Sequence, residues 1–117
     1  MANFLIHIHS GPEAPTKAAL GLLVAKTALS EGHGVDVFLA GDGVHLLSPA
    51  HAEVTGTGTG RVGDHLDGLS GARLHLSGMS AKARGYDDTL LEGHDARFAM
   101  PDALVGLAAK ADAVLCY

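Results

Sequence analysis

Apolar positions along this chain follow two periods, and the switches between them mark out its elements. Asn3–His9 is a β-rich run that enters Ser10, Gly11 and Pro12, as a strand does where it meets a turn. Thr16–Glu31 then changes to helical spacing, with Ala19, Leu22, Leu23 and Leu29 apolar and Lys26 contributing its aliphatic stem. Pro15 or Thr16 opens that helix, and Gly32 and Gly34 close it. Val35–Ala40, VDVFLA, reads as a second strand, broken by Gly41, Asp42 and Gly43 before a helical turn through Val44–Leu47. No period survives in Ser48–Gly60, which is polar and Gly/Thr-rich and is expected to be a mobile loop. Val62–Leu69 fits a short helix, and Arg73–Ser77 fits a third strand that runs into a helix-like turn through Gly78, Met79 and Ser80. A weaker fourth strand is placed at Ala96–Ala99. Pro101–Ala111 is helical, with Leu104, Val105, Leu107 and Ala108 on one face, and Ala113–Tyr117 closes the chain as a fifth strand.

Strands alternating with helices, rich in Val, Ile and Leu, predict an α/β fold: a single three-layer α/β/α domain over residues 1–117 with a mainly parallel five-stranded sheet. A strand, helix, strand order implies parallel pairing by a right-handed crossover. Ligands of such sheets bind beyond the carboxyl ends of the strands, so the loops starting at Ser10, Gly41 and Ser77 are expected to line one rim. The chain shows no internal repeat and no interdomain linker.

Composition narrows the partners. The 117 residues carry a formal net charge of −5, which disfavours phosphate backbones and anionic lipid, and the basic residues are dispersed, Lys82 and Arg84 being the closest pair. Neither nucleic acid nor a membrane is expected as a partner. One cysteine cannot form an internal disulfide, and the N-terminal run is interrupted by His7 and His9 and lacks a basic start, so a cytoplasmic location is expected. No segment approaches the roughly 18 uninterrupted apolar residues needed to span a bilayer.

Four places offer chemistry. The loop Ser10–Ala18 leads into a helix N-terminus, where free N–H groups and the dipole receive anions; the same residues also read as a plain cap, with Ser10 or Thr16 capping and Pro12 and Pro15 stiffening the turn. Gly56–Asp64, GTGTGRVGD, looks like a phosphate loop but neither follows a strand into a long helix nor carries Lys then Ser or Thr, so it reads as flexible surface. The eight histidines invite a metal, and His7 and His9 share a strand face. His33, His45, His51, His65, His75 and His94 show no ligand spacing, however, and neither a metal nor a cofactor is expected. His9, at the rim, and His75, two residues before the Ser77 loop, are candidate acid, base or ligand-orienting groups, and equally read as half-buried strand histidines. Asp42 is either a turn-former or a binding carboxylate.

With the strands placed, Ser10–Leu47 (SGPEAPTKAALGLLVAKTALSEGHGVDVFLAGDGVHLL), Ser77–Gly85 (SGMSAKARG) and the ending RFAMPDALVGLAAKADAVLCY resemble the DsrE/DsrF-like family of small α/β proteins, which includes sulfur-relay subunits of the DsrE and TusD type. The resemblance covers the chain apart from the Gly/Thr-rich loop. In relay members a cysteine near the end of the third strand, ahead of the Arg-Gly pair, carries a persulfide. The corresponding positions here are Ser77, Met79 and Ser80. A hydroxyl forms no persulfide, so the resemblance implies no catalytic residue at this place. It implies instead a pocket of amides and hydroxyls, from Ser10, Gly11, Thr16, Gly41, Asp42, Ser77, Gly78, Met79 and Ser80, suited to a small anionic or polar ligand. It also implies a homo-oligomer, a trimer or hexamer. The one thiol, Cys116, lies in the last strand, where a small apolar residue is expected to pack. The leading expectation is thus a non-catalytic protein that binds a small ligand or a partner protein. The alternatives are a sulfurtransferase or persulfide carrier that uses Cys116, and a purely structural assembly partner.

Overall fold

The computed structural model describes residues 1–117. Five parallel strands form one sheet in the order β6-β5-β2-β1-β7: β1 (Asn3–Ile8), β2 (Gly34–Leu39), β5 (Arg73–Ser77), β6 (Ala96–Ala99) and β7 (Ala113–Cys116). The strand-level reading of the sequence holds to within a residue at nearly every boundary. The α/β architecture with a parallel five-stranded sheet is the one expected.

One face of the sheet is closed by α1 (Pro15–Ser30) and α2 (Val62–Asp67). Alternation along each strand sends Ile6 and Ile8, Val37 and Leu39, and Leu74 and Leu76 to this side, where they meet Ala18, Ala19, Leu22 and Ala25 of α1 in one continuous core. Small residues on α1 let the helix lie close to branched strand residues. Each fully buried Leu or Ile here contributes about 1.5–3 kcal/mol.

The other face is covered by α4 (Pro101–Lys110) alone. β6 and β7 are opposite edges of the sheet, so the chain crosses its whole width in this one helix. One helix is about 10 Å across, against about 19 Å for five strands. The cover is therefore a strip, and clefts of about 300 and 430 Å³ lie along it. No residue of α4 is fully buried. The expected single apolar face of this helix is split: Leu104 and Leu107 are half-buried, while Val105 is 68% exposed. Helical spacing alone does not show how little of the stripe the sheet can reach.

Ser48–Gly60 departs from the expected mobile loop. It holds a 3-10 turn at Pro49–His51 and a hairpin of β3 (Thr55–Gly56) with β4 (Gly60–Arg61), and the hairpin is fastened to the start of α1. Thr57 N–H donates to Thr16 Oγ1 at 3.0 Å, Thr59 Oγ1 donates to the Thr16 carbonyl at 3.2 Å, and buried His65 meets the Thr59 carbonyl at 2.6 Å. The two bonds to Thr16 are long-range, and a Gly/Thr-rich composition does not reveal them. No helix is long and apolar enough to cross a membrane.

Candidate functional site

The carboxyl ends of β1, β2 and β5 meet at one rim, as the topology requires. Two glycines permit the closeness of its loops: a Cβ at Gly11 would overlap the Asp42 carbonyl oxygen, and one at Gly43 would overlap that of Ile8. Gly41 turns the chain with a φ of 55°, a left-handed conformation that favours glycine. Its N–H donates to Ser80 Oγ at 2.9 Å. Ser77 caps α3 (Gly78–Ala83), its Oγ accepting the Ser80 N–H at 3.2 Å. Arg84, at the end of α3, then reaches back across the rim. Its Nε and Nη2 lie 3.1 and 3.0 Å from Asp42 Oδ1, and Nη1 donates to the Ser80 carbonyl at 3.1 Å. His45 Nδ1 and Tyr86 Oη meet at 2.6 Å, joining the same two segments.

The rim thus gathers Ser10, Gly11, Gly41, Asp42, Ser77, Gly78 and Ser80, with Ser80 bonded to both Gly41 and Ser77, Gly11 to Glu13 and Asp42 to Arg84. Ser10 is buried, and the Gly11 N–H, the amide an anion would seek, already donates to the Glu13 carboxylate at 2.6 Å. α1 starts at Ala14 without a side-chain cap, so neither Ser10 nor Thr16 has the capping role open to it in sequence. Thr16 is drawn away from the rim by the hairpin. Met79 is 56% exposed and His9 is also exposed, its N–H donating to the Tyr117 carbonyl. Tyr86 and Glu13 carry no signal in the sequence, and Arg84 and His45 show there only as one of the closest basic pair and one of eight histidines. Arg84 stands 42 residues from Asp42, so nothing local signals the pair.

His75 is placed elsewhere. It is 8% exposed and lies on the α4 face of the sheet, not at the rim. The register sets Asp36 beside Arg73 and Phe38 beside His75. Arg73 grips Asp36 through Nε and Nη2, both at 2.8 Å, and His75 Nε2 lies 2.8 Å from Asp36 Oδ1. Burial pushes the Asp36 carboxyl pKa up, but the hydrogen bonds from Arg73 and His75 outweigh it and hold the pKa below its ordinary value. The Phe38 ring stacks on His75, with centroids 6.2 Å apart and an 11° tilt.

In the next residue pair of that row His7 stands beside Cys116 across the ladder. Burial, helped by neighbouring His9, lowers the pKa of His7, and its Nε2 is sealed from solvent without a hydrogen-bond partner. Cys116 is exposed, not packed as expected, because β7 is an edge strand and α4 does not reach over it. No three His, Cys, Asp or Glu side chains converge as metal ligands.

A model of the DsrE/DsrF-like family matches residues 2–117. Among solved structures the fold is similar to the crystal structure of the ychN protein from E. coli, at a TM-score of 0.80 and 16% identity, with 100% of each chain covered. No curated protein matches the sequence.

Proposed function

The chain belongs to the DsrE/DsrF-like family, and from that membership we propose that it is a non-catalytic relative of sulfur-relay subunits, a homo-oligomer that binds a small polar ligand or a partner protein at the strand rim. The observation that carries this reading is the state of Ser77 and Ser80. These hydroxyls stand in the segment where relay members place their thiol, and both are committed to holding the rim: Ser77 to the start of α3, Ser80 to the Gly41 N–H. Neither forms a persulfide. What the rim leaves open is the exposed pair His9 and Met79, a polar and an apolar contact beside a rigid frame. Exposed Val105, Met100 and Val114 support self-association, because an apolar helix face and an apolar edge residue are unfavourable in water. Sedimentation should find a trimer or hexamer.

A second reading is favoured by one feature. Cys116, the only thiol, is exposed and stands in strand register beside His7, whose pKa burial lowers. In that reading Cys116 carries the sulfur. Incubation with a polysulfide donor followed by intact-mass measurement separates the two. Retention of no sulfane sulfur supports the binding role. Sulfur that is retained by the native protein and lost in Cys116→Ala overturns it in favour of the carrier.

A further inference from the structure

We propose that the cleft between α4 and the β5–β6 side of the sheet binds a small oxyanion that bears its own hydroxyl group, such as hydrogenphosphate or a 2-hydroxycarboxylate. The cleft measures about 430 Å³ and is lined by His75, Arg97, Phe98, Leu107 and Lys110 among others. It lies under α4, away from the rim, and is independent of the reading above.

Asp36 determines the state of His75. A carboxylate only accepts hydrogen bonds, so His75 must donate from Nε2 to Asp36 Oδ1, which in the neutral ring leaves the lone pair on Nδ1. That nitrogen has no hydrogen-bond partner in the protein and is not among the polar atoms sealed from solvent. Asp36 is itself saturated by the two-point contact with Arg73. The carboxylate therefore orients the imidazole, as a carboxylate behind a functional histidine does, and Phe38 holds the ring flat from one side. His75 lines the cleft, and Nδ1 is the one polar atom of its ring that the protein leaves unengaged.

The cleft walls carry cations. Arg97 stands beside His75 in register and spends one N–H on Asp95, at 3.2 Å. Lys110 has no acidic side chain within ion-pair distance. Since Asp36 is taken by Arg73, two positive charges against Asp95 remain, in a chain whose net charge is −5. The carbonyl end of α4 lies at Lys110 and opposes an anion, so both side-chain cations are required. Together the walls ask for negative oxygens toward Arg97 and Lys110 and a hydroxyl donor toward His75 Nδ1.

Charge-matched pairs of anions test this. The full-length protein, labelled with ¹⁵N, is titrated at about pH 8 with hydrogenphosphate against sulfate, both dianions of similar shape of which only the first has a hydroxyl, and with glycolate against acetate. The expected result is saturable shifts of the His75 ring and the Arg97 amide for at least one hydroxyl-bearing anion. Its affinity should exceed that of its hydroxyl-free counterpart about tenfold, the upper end of what one ordinary hydrogen bond is worth. Whichever of the two binds better names the class. Lys110→Ala, an exposed change, should weaken binding about tenfold, and Arg97→Ala likewise. Equal affinity within both pairs overturns the proposal, as does undiminished binding by Lys110→Ala or shifts confined to residues outside the cleft.

Discussion

The two faces of the sheet are built from the same five strands and behave as different materials. Toward α1, the central strands contribute Ile6 and Ile8, Val35, Val37 and Leu39, and Leu74 and Leu76, all at 0–4% exposure. Toward α4, the alternate residues of the same strands are Leu5 and His7, Asp36 and Phe38, and Arg73 and His75; Leu5, Asp36, Phe38 and His75 are buried there, while Arg73 stays exposed. Parallel strands between two helical layers are usually apolar throughout. The departure is confined to one side: the continuous aliphatic core lies on the α1 face, and the ionisable groups lie on the other.

Truncating one aliphatic residue on each face should give the largest contrast. Leu39→Ala on the α1 side is expected to cost about 3 kcal/mol, while Leu107→Ala, half-buried under α4, should cost about 1 kcal/mol. Urea denaturation reads both, and equal losses would show that the α4 layer is as tightly packed as its counterpart.

Breaking the ionic network comes next. Asp36→Asn should destabilise by about 2 kcal/mol at neutral pH, since Arg73 and His75 lose a charged acceptor. The folded pKa of Asp36 lies below its ordinary value of 3.8, so the native chain holds the charge where the unfolded chain takes up a proton. The contribution is complete above that value and is lost as pH falls through the folded pKa. The gap between parent and variant should therefore close under strongly acidic conditions, and a gap independent of pH would refute the ionic origin.

His7 gives the smallest effect. Its folded pKa lies below 6.5, so protonation favours the unfolded chain and stability declines as pH drops through and below 6.5. His7→Phe should flatten that part of the profile and change stability at pH 8 by less than about 1 kcal/mol. Thermal melts across the range check it.

The rim shows how far single residues can be read. Ser77 and Ser80 were visible because a strand running into Ser-Gly-Met-Ser before a helical turn is a local pattern. Their partner was not, since the Ser80 to Gly41 bond spans 39 residues and its geometry depends on the left-handed turn at Gly41. Thr16 was placed at the rim by its position before α1 and taken from it by the hairpin. His75, two residues before Ser77, reads in sequence either as an acid, base or ligand-orienting group or as a half-buried strand histidine; it lies within the sheet, turned by strand alternation onto the α4 face, where Asp36 holds it. Cys116 was expected to pack because strands usually do; as part of an edge strand, it does not.

The sequence by itself determined the strands, the long helix and their parallel order, because periodicity, turn residues and short crossovers are local properties that each segment carries alone. The tertiary structure decided which side chains meet. Pairing of Asp36 with Arg73 and His75, of His7 with Cys116 and of Asp42 with Arg84 follows from strand register and helix placement, which only the packing of the whole core fixes. The polar residues of alternate strand positions become one network or remain separate depending on that register, and a single strand contains no information about its neighbour's phase.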